Sequence, residues 1–138
     1  MDLSTLDIRK ASEETYRFEV LHPVTNEGTG AFIDVYSSSS NAVRQYASNL
    51  YRRMQKEELE NQRLRRPKIK ELDDIEKESI KSAIVRVAGW ENIEWEGKKL
   101  DCTEENIEKL LNKCPWLCSQ IVEHSDDLGN FLKSRSKN

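Results

Sequence analysis

Tyr16-Arg17-Phe18-Glu19-Val20-Leu21-His22-Pro23-Val24-Thr25-Asn26-Glu27-Gly28-Thr29-Gly30-Ala31-Phe32-Ile33-Asp34-Val35-Tyr36 is the stretch that sets the fold class. Tyr16, Phe18 and Val20 alternate with Arg17, Glu19 and Leu21, the two-residue period of a strand. A second run, Ala31 to Tyr36, carries β-branched and aromatic residues that suit a pleated surface. Between the runs Pro23 fixes one backbone angle, and Asn26, Gly28 and Gly30 tolerate the positive φ that a reversal needs. The stretch therefore predicts an antiparallel β-hairpin over residues 15–36. A lone hairpin is marginal in water, so this one must lie on helices or pair with a neighbouring chain.

Helices follow. Ser37 to Ser40 offers N-caps for a long helix over 40–66, whose stripe is Val43, Ala47, Leu50 and Met54 with Tyr46 and Tyr51 beside it. From Lys56 onward only Leu59 and Leu64 remain apolar, so this half projects from the body until Pro67 ends it. Leu72, Ile75, Ile80, Ala83, Ile84 and Val87 predict a second helix over 71–88 that stops at Gly89 and pairs with the first. Trp90, Ile93 and Trp95 then fall in an irregular stretch turning at Glu96-Gly97-Lys98, with Leu100 after it, and cap one end of the core. Helices over 103–132 complete the chain. Thr103 caps one, with Glu104 and Glu105 in its first turn, and Ile107, Leu110 and Leu111 on its buried side. Pro115 opens the next, which carries Trp116, Leu117, Ile121 and Val122. Asp126-Asp127 and Gly129 interrupt before Phe131-Leu132.

Residues 1–14 lack a sustained apolar period and read as a flexible lead-in or a single turn, and 133–138 as a frayed tail. The predicted class is mainly α within α+β: one domain spanning 1–138, an N-terminal hairpin and then about four to five helices. The expected core is Trp90, Ile93, Trp95, Leu110, Leu111, Ile121 and Phe131.

Composition agrees with slim helices and much wet surface: 36% hydrophobic, 34% charged, mean hydropathy −0.80. At 138 residues and 16.1 kDa one core suffices without staples. A net charge of −3 and a pI near 5.5 provide no overall positive field for nucleic acid. Met1-Asp2-Leu3-Ser4 has neither the basic head nor the apolar run of a secretion signal, and no run of 18 apolar residues occurs, so no membrane span is expected. Cys102, Cys114 and Cys118, an odd number, read as reduced thiols in a cytoplasm.

Catalytic material is sparse. His22 sits at a hairpin corner and reads as a surface or packing residue. His124 near Cys118 allows a thiol–imidazole pair to be drawn, without an orienting third group. Cys102, Cys114, Cys118 and His124 make a conceivable zinc set, but their spacing fits no common zinc motif and Pro115 breaks the face; buried free thiols are the simpler reading. No phosphate loop or nucleophile elbow occurs, so no enzyme activity and no cofactor is expected.

The basic run is the remaining functional feature. From Arg52 to Lys70 eight Lys and Arg face Glu57, Glu58 and Glu60, a net of +5 that leaves −8 elsewhere in a chain of −3. Such a run is ordinarily a solvated, ion-paired helix face. As a functional surface, Arg52, Arg53, Lys56, Arg63, Arg65 and Arg66 would dock an acidic protein partner. The alternative is a nucleic-acid-associated regulator using 52–70; the lack of any aromatic there to stack on bases favours protein, so no nucleic-acid partner is expected.

Two stretches are similar to one family. Phe18 to Ile33 resembles the opening hairpin of the tail assembly chaperones of long-tailed bacteriophages, in which a proline–threonine turn precedes a glycine and an extended run. Gly89-Trp90-Glu91-Asn92-Ile93, Gly97-Lys98-Lys99-Leu100, Thr103-Glu104-Glu105-Asn106-Ile107, Leu110-Leu111 and Phe131-Leu132 resemble its later segments, in order. The resemblance implies a chaperone that coats the helical tape measure protein, keeps it soluble and yields it to tail tube subunits. It also implies self-association, a longer form made by ribosomal slippage near Ser136-Lys137-Asn138, and residence in the host bacterial cytoplasm and not in the mature virion. The copy-to-copy surface expected on that basis is the hairpin, with Phe18, Val20, Phe32, Ile33 and Val35.

Overall fold

The alternation in residues 16–36 forms the expected strand pair, β1 (Thr15–Leu21) with β2 (Gly28–Tyr36), antiparallel with Phe18 opposite Ile33 and Tyr16 opposite Val35. A computed structural model describes residues 1–11 and 13–132. At the reversal Asn26 takes φ 60° and Gly30 φ 81°, the left-handed region that glycine and asparagine tolerate, while Gly28 stays outside it. His22 staples the turn: its Nδ1 accepts from the N–H groups of Val24 at 3.1 Å and Thr25 at 3.2 Å.

The hairpin gains a third strand from a place where a loop was expected. Helix α3 (Leu72–Arg86) passes without a connector into β3 (Val87–Glu91), which pairs antiparallel with the free side of β2 and makes the order β1-β2-β3. Val87 continues the apolar spacing of the helix, yet its backbone is already extended, φ −80° and ψ 119°. Strand hydrogen bonds to β2 and the placing of Val87 opposite Val35 and Trp90 opposite Ile33 outweigh one more helical turn. Asn92, at φ 60°, closes the strand and its amide donates to the Gly30 carbonyl at 2.7 Å. A two-stranded ribbon, β4 (Glu94–Trp95) and β5 (Lys98–Lys99), then turns at Glu96 and Gly97, both at positive φ. The Trp90 indole N–H donates to the Leu100 carbonyl at 2.8 Å, tying this ribbon to the sheet.

Helix α4 (Glu104–Lys113) starts at Thr103, whose hydroxyl accepts from the Asn106 N–H at 3.2 Å; α5 (Trp116–Asp126) starts directly after Pro115; α6 is Gly129–Leu132. Helices α5 and α6 cover one face of the sheet, and α4 packs on α3 and α5. Phe18, Val20, Ile33 and Val35 share one buried cluster with Leu117 and Ile121 of α5, Ile107, Leu110 and Leu111 of α4, and Phe131. Ile93 is also buried; Trp90 and Trp95 lie half-buried against the same cluster. Buried Ser125 donates its hydroxyl proton to the Tyr36 carbonyl at 2.7 Å, and its own carbonyl accepts from Ser38 N–H, locking α5 to the end of β2.

Two boundaries move. The start of the chain is tied down: a 3-10 turn at Leu3–Leu6 leads into α1 (Ile8–Ala11), which rests on α6 with Ala11 fully buried. The long helix α2 runs Asn41–Gln62 from the Ser40 cap and stops short of residue 66. Its end is set by Asn61, whose side chain bonds the backbone of Lys68, accepting from its N–H and donating to its carbonyl, so the connector folds back. The tail 133–138 and the slippage residues Ser136-Lys137-Asn138 lie outside the described residues.

Candidate protein-binding surface

Helix α2 has little to bury. Val43 is its one buried residue; Tyr46 and Leu50 are half-covered, and beyond them α2 and the returning α3 form a two-helix arm. The arm is pinned at mid-length by Glu78, whose carboxylate accepts from the Tyr46 hydroxyl and from the Arg53 guanidinium. Burial first, and then the hydrogen bond to Glu78 and its charge, push the Tyr46 phenol up to about 12.

Above that clasp the arm leaves apolar surface uncovered. Of the twelve large hydrophobic side chains exposed among the described residues, seven belong to it: Tyr51, Met54, Leu59, Leu64, Ile69, Leu72 and Ile75. At its foot α2, α3 and α5 enclose an open groove of about 690 Å³ with Leu50, Met54, Ile75, Cys118 and Val122 in its wall. Glu78, Glu123 and Lys70 stand at its polar edge. Toward the tip the space between α2 and α3 widens into a cleft of about 1150 Å³ with charged walls, Glu57 and Glu60 on one side, Asp74, Lys77 and Lys81 on the other.

The six cations expected to act together are divided. Arg53 lines the cleft and is committed to Glu78. Arg52 and Lys56 lie four residues apart on the opposite side of α2, exposed, and Leu59 and the C-capping Arg63 continue that side. Among the described residues none of these three cations carries an ion pair. Arg65 and Arg66 are exposed in the connector after α2.

The hairpin residues expected between copies are placed differently. Phe18, Val20, Ile33 and Val35 are buried in the chain's own core because the helices cover that face, so their side chains are not available to a second copy. Phe32 is half-buried on the outer face, between Glu19 and Glu91 in register, beside Arg17 paired with Asp34 and Glu91. β2 has a partner on each side, and at the far end of β1 the Gln120 amide both accepts from Leu21 N–H at 3.0 Å and donates to its carbonyl at 2.9 Å.

The thiols and His124 do not converge. The His124 ring stacks on Phe18 at 4.2 Å and 16° and lies near Tyr16 at 5.8 Å, and this burial lowers its pKa below the ordinary 6.5. Cys118 is buried, Cys114 half-buried and Cys102 exposed, with all three thiols pushed up mainly by burial, away from the reactive thiolate. Among the described residues no group of three His, Cys, Asp or Glu is placed to hold a metal ion. No helix among them is long and apolar enough to cross a membrane.

No curated protein and no solved structure matches this chain. A family model described as YdaY prophage protein matches residues 35–138, taking in the whole arm, the groove, β3 and the carboxy-terminal helices. With that span covered, the chain is of phage origin and belongs to the YdaY prophage protein family.

Proposed function

We propose that this protein is a tail assembly chaperone: it covers the apolar stripe of the helical tape measure protein, keeps it soluble and helps recruit tail tube subunits. The observation that carries the reading is the arm, a two-helix projection with half-exposed Met54 and Ile75 over an open apolar groove. A long amphipathic client aggregates through its stripe unless something shields it, and a groove between helices receives such a stripe side by side with its own walls. Prophage ancestry and the ordered similarity of residues 18–33 and 89–132 to tail assembly chaperones support the same role.

The grip must be reversible. Met54 and Ile75 are already half covered, so a client completes their burial for about 1 kcal/mol each, small enough that one copy holds loosely and many copies hold well. The tube subunit then displaces copies one at a time. On this reading the protein works in the host bacterial cytoplasm, is absent from the finished virion, uses no cofactor and catalyses nothing. A longer form made by slippage is its natural partner on the same client.

Co-expression tests it. The tape measure protein of the same phage should move from the pellet to the soluble fraction with this chain present and co-purify with it. A tape measure protein that is equally soluble alone, or that never co-purifies, removes the reading.

A further inference from the structure

The tip of the arm is built differently from its sides. Residues 61–70 carry Arg63, Arg65, Arg66, Lys68 and Lys70 and no acidic residue, a net of +5 that leaves −8 for the rest of a chain of −3. Every residue from Tyr51 to Lys77 except Asn61 is exposed, so the connector between α2 and α3 stands clear of the core. Asn61 closes it as a turn by bonding both backbone groups of Lys68, which keeps the five cations together at one end of the molecule. Charge runs are ordinarily laced with ion pairs, yet none of these five side chains has an ion pair or a hydrogen bond among the described residues. Set among them are two apolar side chains, Ile69, 87% exposed, and Leu64, 44% exposed.

We infer that this tip docks on an anionic phospholipid surface, with the cations among the headgroups and Ile69 and Leu64 entering the acyl boundary beneath them. A cluster of four to eight Lys and Arg is what an anionic leaflet holds by charge, and exposed apolar side chains within the cluster add burial that a bilayer interface supplies. A duplex gives the cations a phosphate row but leaves Ile69 and Leu64 in water, and no aromatic residue lies here to stack on single-stranded bases. The charge split also sets the orientation. An anionic surface attracts the tip and repels the remainder of the chain, net −8, so the arm stands on its tip with the groove at its foot held away from the lipid. Docking of this kind is peripheral and requires no spanning helix. It goes beyond the client reading and needs no client.

The test is flotation of the full chain with vesicles of phosphatidylglycerol in phosphatidylcholine and with vesicles of phosphatidylcholine alone. The wild type should float with the anionic vesicles only, and should be released as salt rises toward about 0.5 M, where the surface charge is screened. Each cation near such a surface contributes about fivefold, so Arg65→Glu with Arg66→Glu should weaken binding by more than about tenfold. Ile69→Ser leaves the charge unchanged and should weaken binding by about fivefold, whereas Ile69→Leu should bind like the wild type. These positions are exposed in the connector, so helical circular dichroism should be the same in every variant. A wild type that does not float, equal flotation with the neutral vesicles, or full binding by Ile69→Ser would each overturn the proposal. So would duplex DNA or polyglutamate that displaces the chain from the vesicles at equal charge. Because no client is present, these outcomes do not bear on the co-expression result.

Discussion

Truncating Met54 and Ile75 to alanine in one chain removes the two apolar side chains that rise from opposite walls of the groove. They are 46% and 49% exposed, so about half of each remains for a client to cover. Full burial of such side chains is worth about 1.5–3 kcal/mol, which puts the uncovered half near 1 kcal/mol apiece and the pair near 2 kcal/mol. That is about a thirtyfold rise in Kd. The assay is fluorescence anisotropy of a labelled tape measure peptide with an apolar stripe, titrated with the wild type and the double variant. The fold should hold, since neither Met54 nor Ile75 belongs to the buried core of Leu111, Ile121 and Phe131. A Kd within about threefold of wild type, with circular dichroism unchanged, would mean that the groove is not where the client sits.

Other expectations concern the frame. Gln120→Ala loses both hydrogen bonds to Leu21 and should cost about 1–2 kcal/mol in urea unfolding, whereas Ser119→Ala, one residue away and exposed, should cost little. His124 favours its neutral form in the fold, so its contribution to stability is complete above about pH 6.5 and fades as pH falls through its lowered folded value. Melting temperature should drop over that window, and His124→Phe, which keeps the stack on Phe18, should flatten the drop; an equal slope in both proteins would show that carboxylates, not this ring, set it. Replacing Cys102 and Cys114 by serine should leave client binding within about twofold by the same anisotropy assay, because neither thiol lines the groove.

Much of this fold is legible in the sequence. Alternation in Tyr16 to Val20, the Thr103 cap with its two glutamates, and Pro115 at a helix start are local signals, and local geometry decides them. The third strand was hidden because Val87 fits the four- and three-residue steps of Ile80, Ala83 and Ile84, and Gly89 mimics a helix stop. Only the vacant side of β2, a tertiary fact, turns Val87–Glu91 into strand. The same gap explains the site. Periodicity finds the stripe of Leu50 and Met54 on α2 and of Ile75 on α3, but does not say whether anything lies over it. It also merged cations that the structure separates, with Arg53 turned to Glu78 and Arg52, Lys56 and Arg63 on the far side. Phe18, Val20, Ile33 and Val35 look free in a hairpin considered alone, and they are covered once α5 and α6 fold beneath it.

Hydrogen–deuterium exchange of the full chain with and without a soluble segment of the tape measure protein asks the question most directly. Protection should appear in the groove-lining stretches 50–54, 75–82 and 118–123 and leave the β1–β2 sheet unchanged. Complex formation with no added protection in those stretches, or protection confined to the outer face of the sheet, would contradict a groove that shields a client helix.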